Sequence, residues 1–149
     1  MQAIQRVNFF ATGTTVNSNN TVPASTDILQ KVQLQILRQL PQQPSLAQVA
    51  AELHLSNRTL QRLLQQQHTR FRQLLASCRH QAALHYLAQT ELSLQQIASK
   101  LGFAEQSSFQ KAFKSWQGCA PGSFRQHKQQ DRTQRFIQAS GRVTGELWN

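Results

Sequence analysis

The sequence predicts an all-α fold, two helix-turn-helix subdomains joined by a long connecting helix, about seven helices in all. Three observations carry that expectation. The run Ser45-Leu46-x-Gln48-Val49-Ala50-x-x-Leu53-x-Leu55 recurs, at an offset of 48 residues, as Ser93-Leu94-x-Gln96-Ile97-Ala98-x-x-Leu101-x-Phe103. Each copy leads into a second amphipathic segment whose polar side holds Arg, Gln and Lys rather than acids. Between the copies, Phe71, Leu74, Leu75, Cys78, Ala82 and Tyr86 fall at helical spacing.

Taken in order, residues 1–26 are rich in Thr, Asn, Ser and Val and lack a helical period. Val7-Asn8-Phe9-Phe10 suits a short strand, and Thr12–Ser25 is turn-forming and reads as a linker. A helix begins at Asp27, a capping residue, and Ile28, Leu29, Val32, Ile36, Leu37 and Leu40 give it one apolar stripe before Pro41 and Pro44 close it. The first repeat then opens at Ser45, with Gln48 in capping-box spacing, and Ser93 and Gln96 stand in the same relation. The short first helices span about Leu46–Leu53 and Leu94–Leu101, followed by turns at His54-Leu55-Ser56 and Gly102-Phe103-Ala104. Gly102 suits a left-handed turn position, and His54 is a weaker but tolerated choice there.

The second helix of each repeat shows two faces. In the first, Leu60, Leu63 and Leu64 are apolar, while Arg58, Gln61, Arg62 and Gln65 lie at i, i+3, i+4, i+7 on the other side. In the second, Phe109, Ala112, Phe113 and Trp116 are set against Ser107, Gln110, Lys111 and Lys114. The offset has grown from 48 to 49, so the second turn holds one extra residue. Phe71–Gln89 reads as one connecting helix of roughly 28 Å.

Composition limits the partners. The chain has 149 residues, 39% of them apolar, enough for one compact domain or two very small ones sharing a helix. A net charge of +10 and a pI near 11.2 point to a polyanion: DNA, RNA or an anionic membrane surface. No apolar run approaches the ~20 residues of a membrane span, and residues 1–25 lack the pattern of a secretory signal, so a cytoplasmic location is expected. Cys78 and Cys119 form no CxxC, and Cys78, His80 and His85 do not match zinc spacing, so reduced structural thiols and no metal or cofactor are expected. The histidines read as ordinary polar positions. Asp27, Glu52, Glu91, Glu105, Asp131 and Glu146 are scattered singly, which speaks against an enzyme.

Two matching Gln-cation faces on two matching scaffolds favour double-stranded DNA. Arg bonds bidentately to guanine O6 and N7, Gln to adenine N6 and N7, and Lys reaches guanine or a phosphate less directionally. Flanking cations Arg70, Arg72, Lys100 and Arg125, with Gln65 and Lys114 on the helices, are candidate phosphate contacts that fix register. A connecting helix shorter than the ~34 Å between successive major-groove faces predicts either DNA bent toward the protein, at a few kcal/mol, or full insertion of one head only.

The run Ile97-Ala98-x-x-Leu101-Gly102-Phe103-x-x-x-Ser107-x-Phe109-x-x-x-Phe113-Lys114-x-x-x-Gly118-x-x-Pro121-x-x-Phe124-Arg125 resembles the signature of the AraC/XylS family of transcription regulators. Leu55-Ser56-x-Arg58-Thr59-Leu60-Gln61-Arg62-x-Leu64 and Arg79-x-x-x-Ala83-x-x-x-Leu87 are similar to the rest of that family's DNA-binding domain, and the resemblance covers about residues 27–128. It implies two helix-turn-helix units, about 45–67 and 93–117, and a connecting helix at about 71–89. It further implies an activator that binds asymmetric promoter sites in the bacterial nucleoid and contacts RNA polymerase. Base contacts carried over by position are Arg58, Gln61 and Arg62 in the first head and Gln106, Ser107, Gln110 and Lys111 in the second. Lys111 stands where Arg is also used and Ser107 is short, so the second head is expected to read less strictly. Some DNA-repair methyltransferases carry a similar module, but the reactive metal-bound cysteine cluster they need is absent from this sequence.

Most members also carry a sensing or dimerisation domain, and a small-molecule effector is expected only with one. Residues 1–26 are read as a linker or the remnant of such a domain, and 129–149 as a basic tail in which Arg132, Arg135 and Phe136 suit a short basic helix or a mobile segment, with a slight preference for disorder. Fragment, truncated product and stand-alone regulator stay open in the sequence. The competing function is a charge-driven DNA or RNA binder without sequence preference, whose affinity would ignore sequence and collapse with salt.

Overall fold

In the computed structural model of the protein, residues 24–147 are described, with side chains from 27 to 140. They form seven α-helices and no strand: α1 (Ala24–Gln39), α2 (Leu46–Glu52), α3 (Asn57–Gln66), α4 (Phe71–Gln89), α5 (Leu94–Lys100), α6 (Gln106–Gln117) and α7 (Pro121–Leu147). The expected all-α fold is observed. The strand at Val7–Phe10 and most of the expected linker lie outside the described residues.

α1 starts three residues before the expected cap. Asp27 therefore sits in its first turn, where a carboxylate faces the positive end of the helix dipole, and pairs with Lys31 at 2.7 Å. α2 and α5 carry both predicted capping boxes. The Ser45 and Ser93 hydroxyls accept from the Gln48 and Gln96 amides at 3.2 and 3.1 Å, and each Gln side chain accepts from its serine's backbone N–H. Each box satisfies amides at the helix start that have no intrahelical acceptor.

The turns repeat as closely as the caps. His54 N–H donates to Ala51 O and Leu55 N–H to Ala50 O; Gly102 N–H donates to Ser99 O and Phe103 N–H to Ala98 O. These are paired Schellman bonds closed by a left-handed residue, His54 at φ 57° and Gly102 at φ 80°. α3 ends the same way at His68, φ 56°, with Thr69 N–H donating to Leu64 O. His54 takes the left-handed turn position expected of it, and the expectation that the other histidines are ordinary polar positions is corrected for His68, which holds the end of α3.

The described residues divide into two compact units, with the boundary inside α4 between Arg79 and His80. The first unit has an aliphatic core: Val32 and Ile36 of α1, Val49 and Ala50 of α2, Leu60 and Leu64 of α3, and Leu74 and Cys78 of α4. The stripe predicted on α1 is the one buried, and Arg79 of α4 donates to Gln43 Oε1 at 3.0 Å.

The second unit has an aromatic core. Phe109 and Phe113 of α6 are fully buried with Ala83, Leu87, Ile97, Ala98 and Leu101. Phe103, Phe109, Phe113 and Phe124 follow one another at centroid separations of 5.8 to 5.9 Å, in tilted and edge-on geometry. His80 joins this cluster, edge-on to Phe113 and 2.8 Å from Gln117 Oε1.

α7 corrects the expectation for the C-terminus, since 129–147 continues one helix from Pro121. Proline suits a first helical position, and no further proline or glycine interrupts the helix before Gly141 beyond its Gly122. Residues 126–140 are exposed, including Phe136 and Ile137 at 73% and 61%.

Candidate nucleic-acid interface

α3 and α6 place corresponding residues alike. Leu60 and Leu64 of α3 and Phe109 and Phe113 of α6 are buried at matching positions. An α-helix then turns i, i+3, i+4 and i+7 of the other side outward. Arg58, Gln61, Arg62 and Gln65 are exposed on α3; Gln106, Ser107, Lys111 and Lys114 are exposed on α6, and Gln110 is half-buried. Neither helix contains an acidic residue.

The flanking cations divide differently from the expectation. Lys100 lies exposed in the last turn of α5, and Arg70 and Arg72 are exposed at the start of α4. With Gln61, Gln65 and His68, Arg70 and Arg72 line an open groove of about 980 Å³ between α3 and α4, a feature not foreseen from sequence spacing. Arg70 is further fixed through its backbone N–H, which donates to Gln73 Oε1 at 2.9 Å. Arg125 belongs elsewhere. Its guanidinium is half-buried and donates from Nη2 to the Leu92 carbonyl at 2.6 Å, while Nε is buried without a partner. It ties α7 to the loop before α5 through one of its donors.

α3 and α6 start differently. Ser56 caps α3 with its hydroxyl, which accepts from Thr59 N–H at 3.1 Å and pairs with Thr59 Oγ1 at 2.8 Å. At the same point of α6, Glu105 has extended backbone but its side chain makes no cap bond; its Oε2 instead accepts from Ser107 Oγ at 3.2 Å. The turn before α6 is one residue longer than the turn before α3, as the change of offset predicted.

A scaffold helix, a tight left-handed turn and a second helix with a basic outward face define a helix-turn-helix DNA-binding module, present twice. A family profile described as a helix-turn-helix domain matches residues 27–127. The ornithine utilization regulator of Pseudomonas aeruginosa is 38% identical over 106 residues, 71% of this chain and 31% of that protein. A DNA-binding transcriptional dual regulator from Escherichia coli K-12 superposes with a TM-score of 0.67 at 27% identity, over 69% of this chain and 93% of that one. The transcriptional regulator CdpR of Pseudomonas aeruginosa gives 0.60 at 32% identity, over 66% of this chain and 31% of that one. The chain belongs to the AraC/XylS family, over the helix-turn-helix domain at residues 27–127. It spans under a third of the length of the ornithine utilization regulator. Among the described residues no helix is long and apolar enough to cross a membrane.

Proposed function

We propose that the chain reads two adjacent major-groove segments of one promoter duplex, one with α3 and one with α6, and activates transcription there. The observation that carries this reading is the correspondence of the two outward faces, each set on a buried pair and each holding Gln beside an exposed cation, Gln61 exposed next to Arg62 and Gln110 half-buried next to Lys111. Arg58, Gln61 and Arg62 contact bases in one segment, and Gln106, Ser107, Gln110 and Lys111 in the other. Gln65, Arg70, Arg72, Lys100 and Lys114 hold phosphates; the groove at the start of α4 supports this role for Arg70 and Arg72. Bacterial RNA polymerase is the second partner, and the nucleoid is the place of action.

Selection from a random duplex pool tests the reading. The expected outcome is an asymmetric site with two clusters about one helical turn apart. Arg62→Ala relaxes one cluster and costs roughly 1–3 kcal/mol there. A pool without preference, bound with steep salt dependence, makes the chain a charge-driven binder instead. Transcription in vitro from a promoter carrying the selected site, with purified polymerase, rises on adding the protein if it activates; a fall assigns repression.

A further inference from the structure

We infer that Glu105 is a specificity-determining residue of the second head and that, with Ser107, it selects a cytosine in the second cluster. The inference rests on the DNA-reading role proposed above for α6. In a helix-turn-helix the leading end of the second helix meets the base edges. Glu105 occupies that end of α6, is exposed, and leaves the helix amides to other acceptors, since its side chain makes no cap bond. Its equivalent Ser56 turns its hydroxyl inward onto Thr59. Glu105 is therefore a carboxylate set at the reading end of a basic protein without the local structural task that its counterpart performs.

Its one partner among the described residues decides what it offers. Ser107, itself on the reading face, gives its hydroxyl proton to Glu105 Oε2. That bond fixes the carboxylate toward the reading face and uses up the one donor of Ser107, so the pair presents acceptors only: Glu105 Oε1, the free lone pairs of Oε2, and Ser107 Oγ. In the major groove the donors are the amino groups of cytosine N4 and adenine N6. Adenine sets its N7 acceptor beside N6, and guanine offers two acceptors, so both turn a lone pair toward the carboxylate. Cytosine sets its C5–H beside its amino group, and the one neighbouring acceptor, O6 of the paired guanine, lies on the opposite side. A phosphate contact is the other possibility for an exposed side chain at a DNA surface, and like charge opposes it.

The test uses the full chain and random duplex selection with four proteins: unmodified, Glu105→Gln, Glu105→Ala and Ser107→Ala. Their helix content and melting are compared first, and an exposed, non-capping side chain leaves both unchanged. The unmodified chain is expected to select cytosine at one position of the second cluster, and replacing that pair in a labelled duplex weakens binding on the order of tenfold. Glu105→Gln moves the preference at that position from cytosine to adenine, because Gln bonds both N6 and N7. Glu105→Ala removes the preference, and Ser107→Ala weakens it without touching the first cluster. The Glu105 assignment is overturned if the second cluster persists in all four pools with the same bases, while Glu105→Gln only tightens every duplex alike. A pool without preference from the unmodified chain overturns the DNA-reading proposal itself.

Discussion

His54, Gly102 and His68 perform the same task with different side chains, and the difference has a measurable cost. A left-handed backbone places the Cβ of a non-glycine residue close to the following carbonyl, a strain of about 1–2 kcal/mol, part of which the greater freedom of unfolded glycine offsets. His54→Gly and His68→Gly are each expected to stabilise the first unit by about 0.5–1 kcal/mol in urea titration, whereas Gly102→Ala destabilises the second by about 1 kcal/mol or more. Cys78 is the opposite kind of residue, fully buried, and burial pushes its thiol up to about 12. In the unfolded chain the thiol ionises near its ordinary 9.0. The folded state then holds the extra proton, so this contribution is complete below pH 9 and is lost as pH rises toward 12. Burial also raises Tyr86, in the same direction. Melting across that range should show the fall, and Cys78→Ala should flatten it. A thiol reagent at pH 8 should label Cys119 quickly and Cys78 only on unfolding.

At the scale of elements, most of the fold was legible because its signals are local. The Ser-x-x-Gln boxes, the apolar period and the one-residue change of offset are set by neighbours within one turn of helix, and α4 has the expected bounds. What escaped depends on contacts distant in sequence. Arg125 has the chemistry of a phosphate ligand, and only the folded second unit shows the Leu92 carbonyl in front of it. The groove beside Arg70 likewise needs α3 and α4 side by side. Removing one box by Ser45→Ala or Ser93→Ala should cost about 1 kcal/mol in either unit. For α7, exposure predicts independence: Gln134→Pro is expected to reduce ellipticity at 222 nm and leave the main melting transition in place.

For the whole molecule, charge and partition matter most. With a net charge of +10, affinity for any duplex should fall steeply with salt, and Arg70→Ala should lower the log-log slope by about one while weakening all sequences alike. Arg62→Ala and Lys111→Ala act in different units and share no core residue, so their costs on the selected site should add to within about 0.5 kcal/mol. A double substitution that costs much less than the sum in a competition titration would mean that both heads do not engage the same duplex at once.

Two cores that change hands in the middle of one helix also bear on how such a regulator diverges. Leu74 and Cys78 serve one half and Ala83 and Leu87 the other, so a substitution on the exposed face of α3 or of α6 leaves the core of the opposite half untouched. On the two-segment reading proposed above, a change confined to one face alters half of the DNA site and leaves the other half as it was.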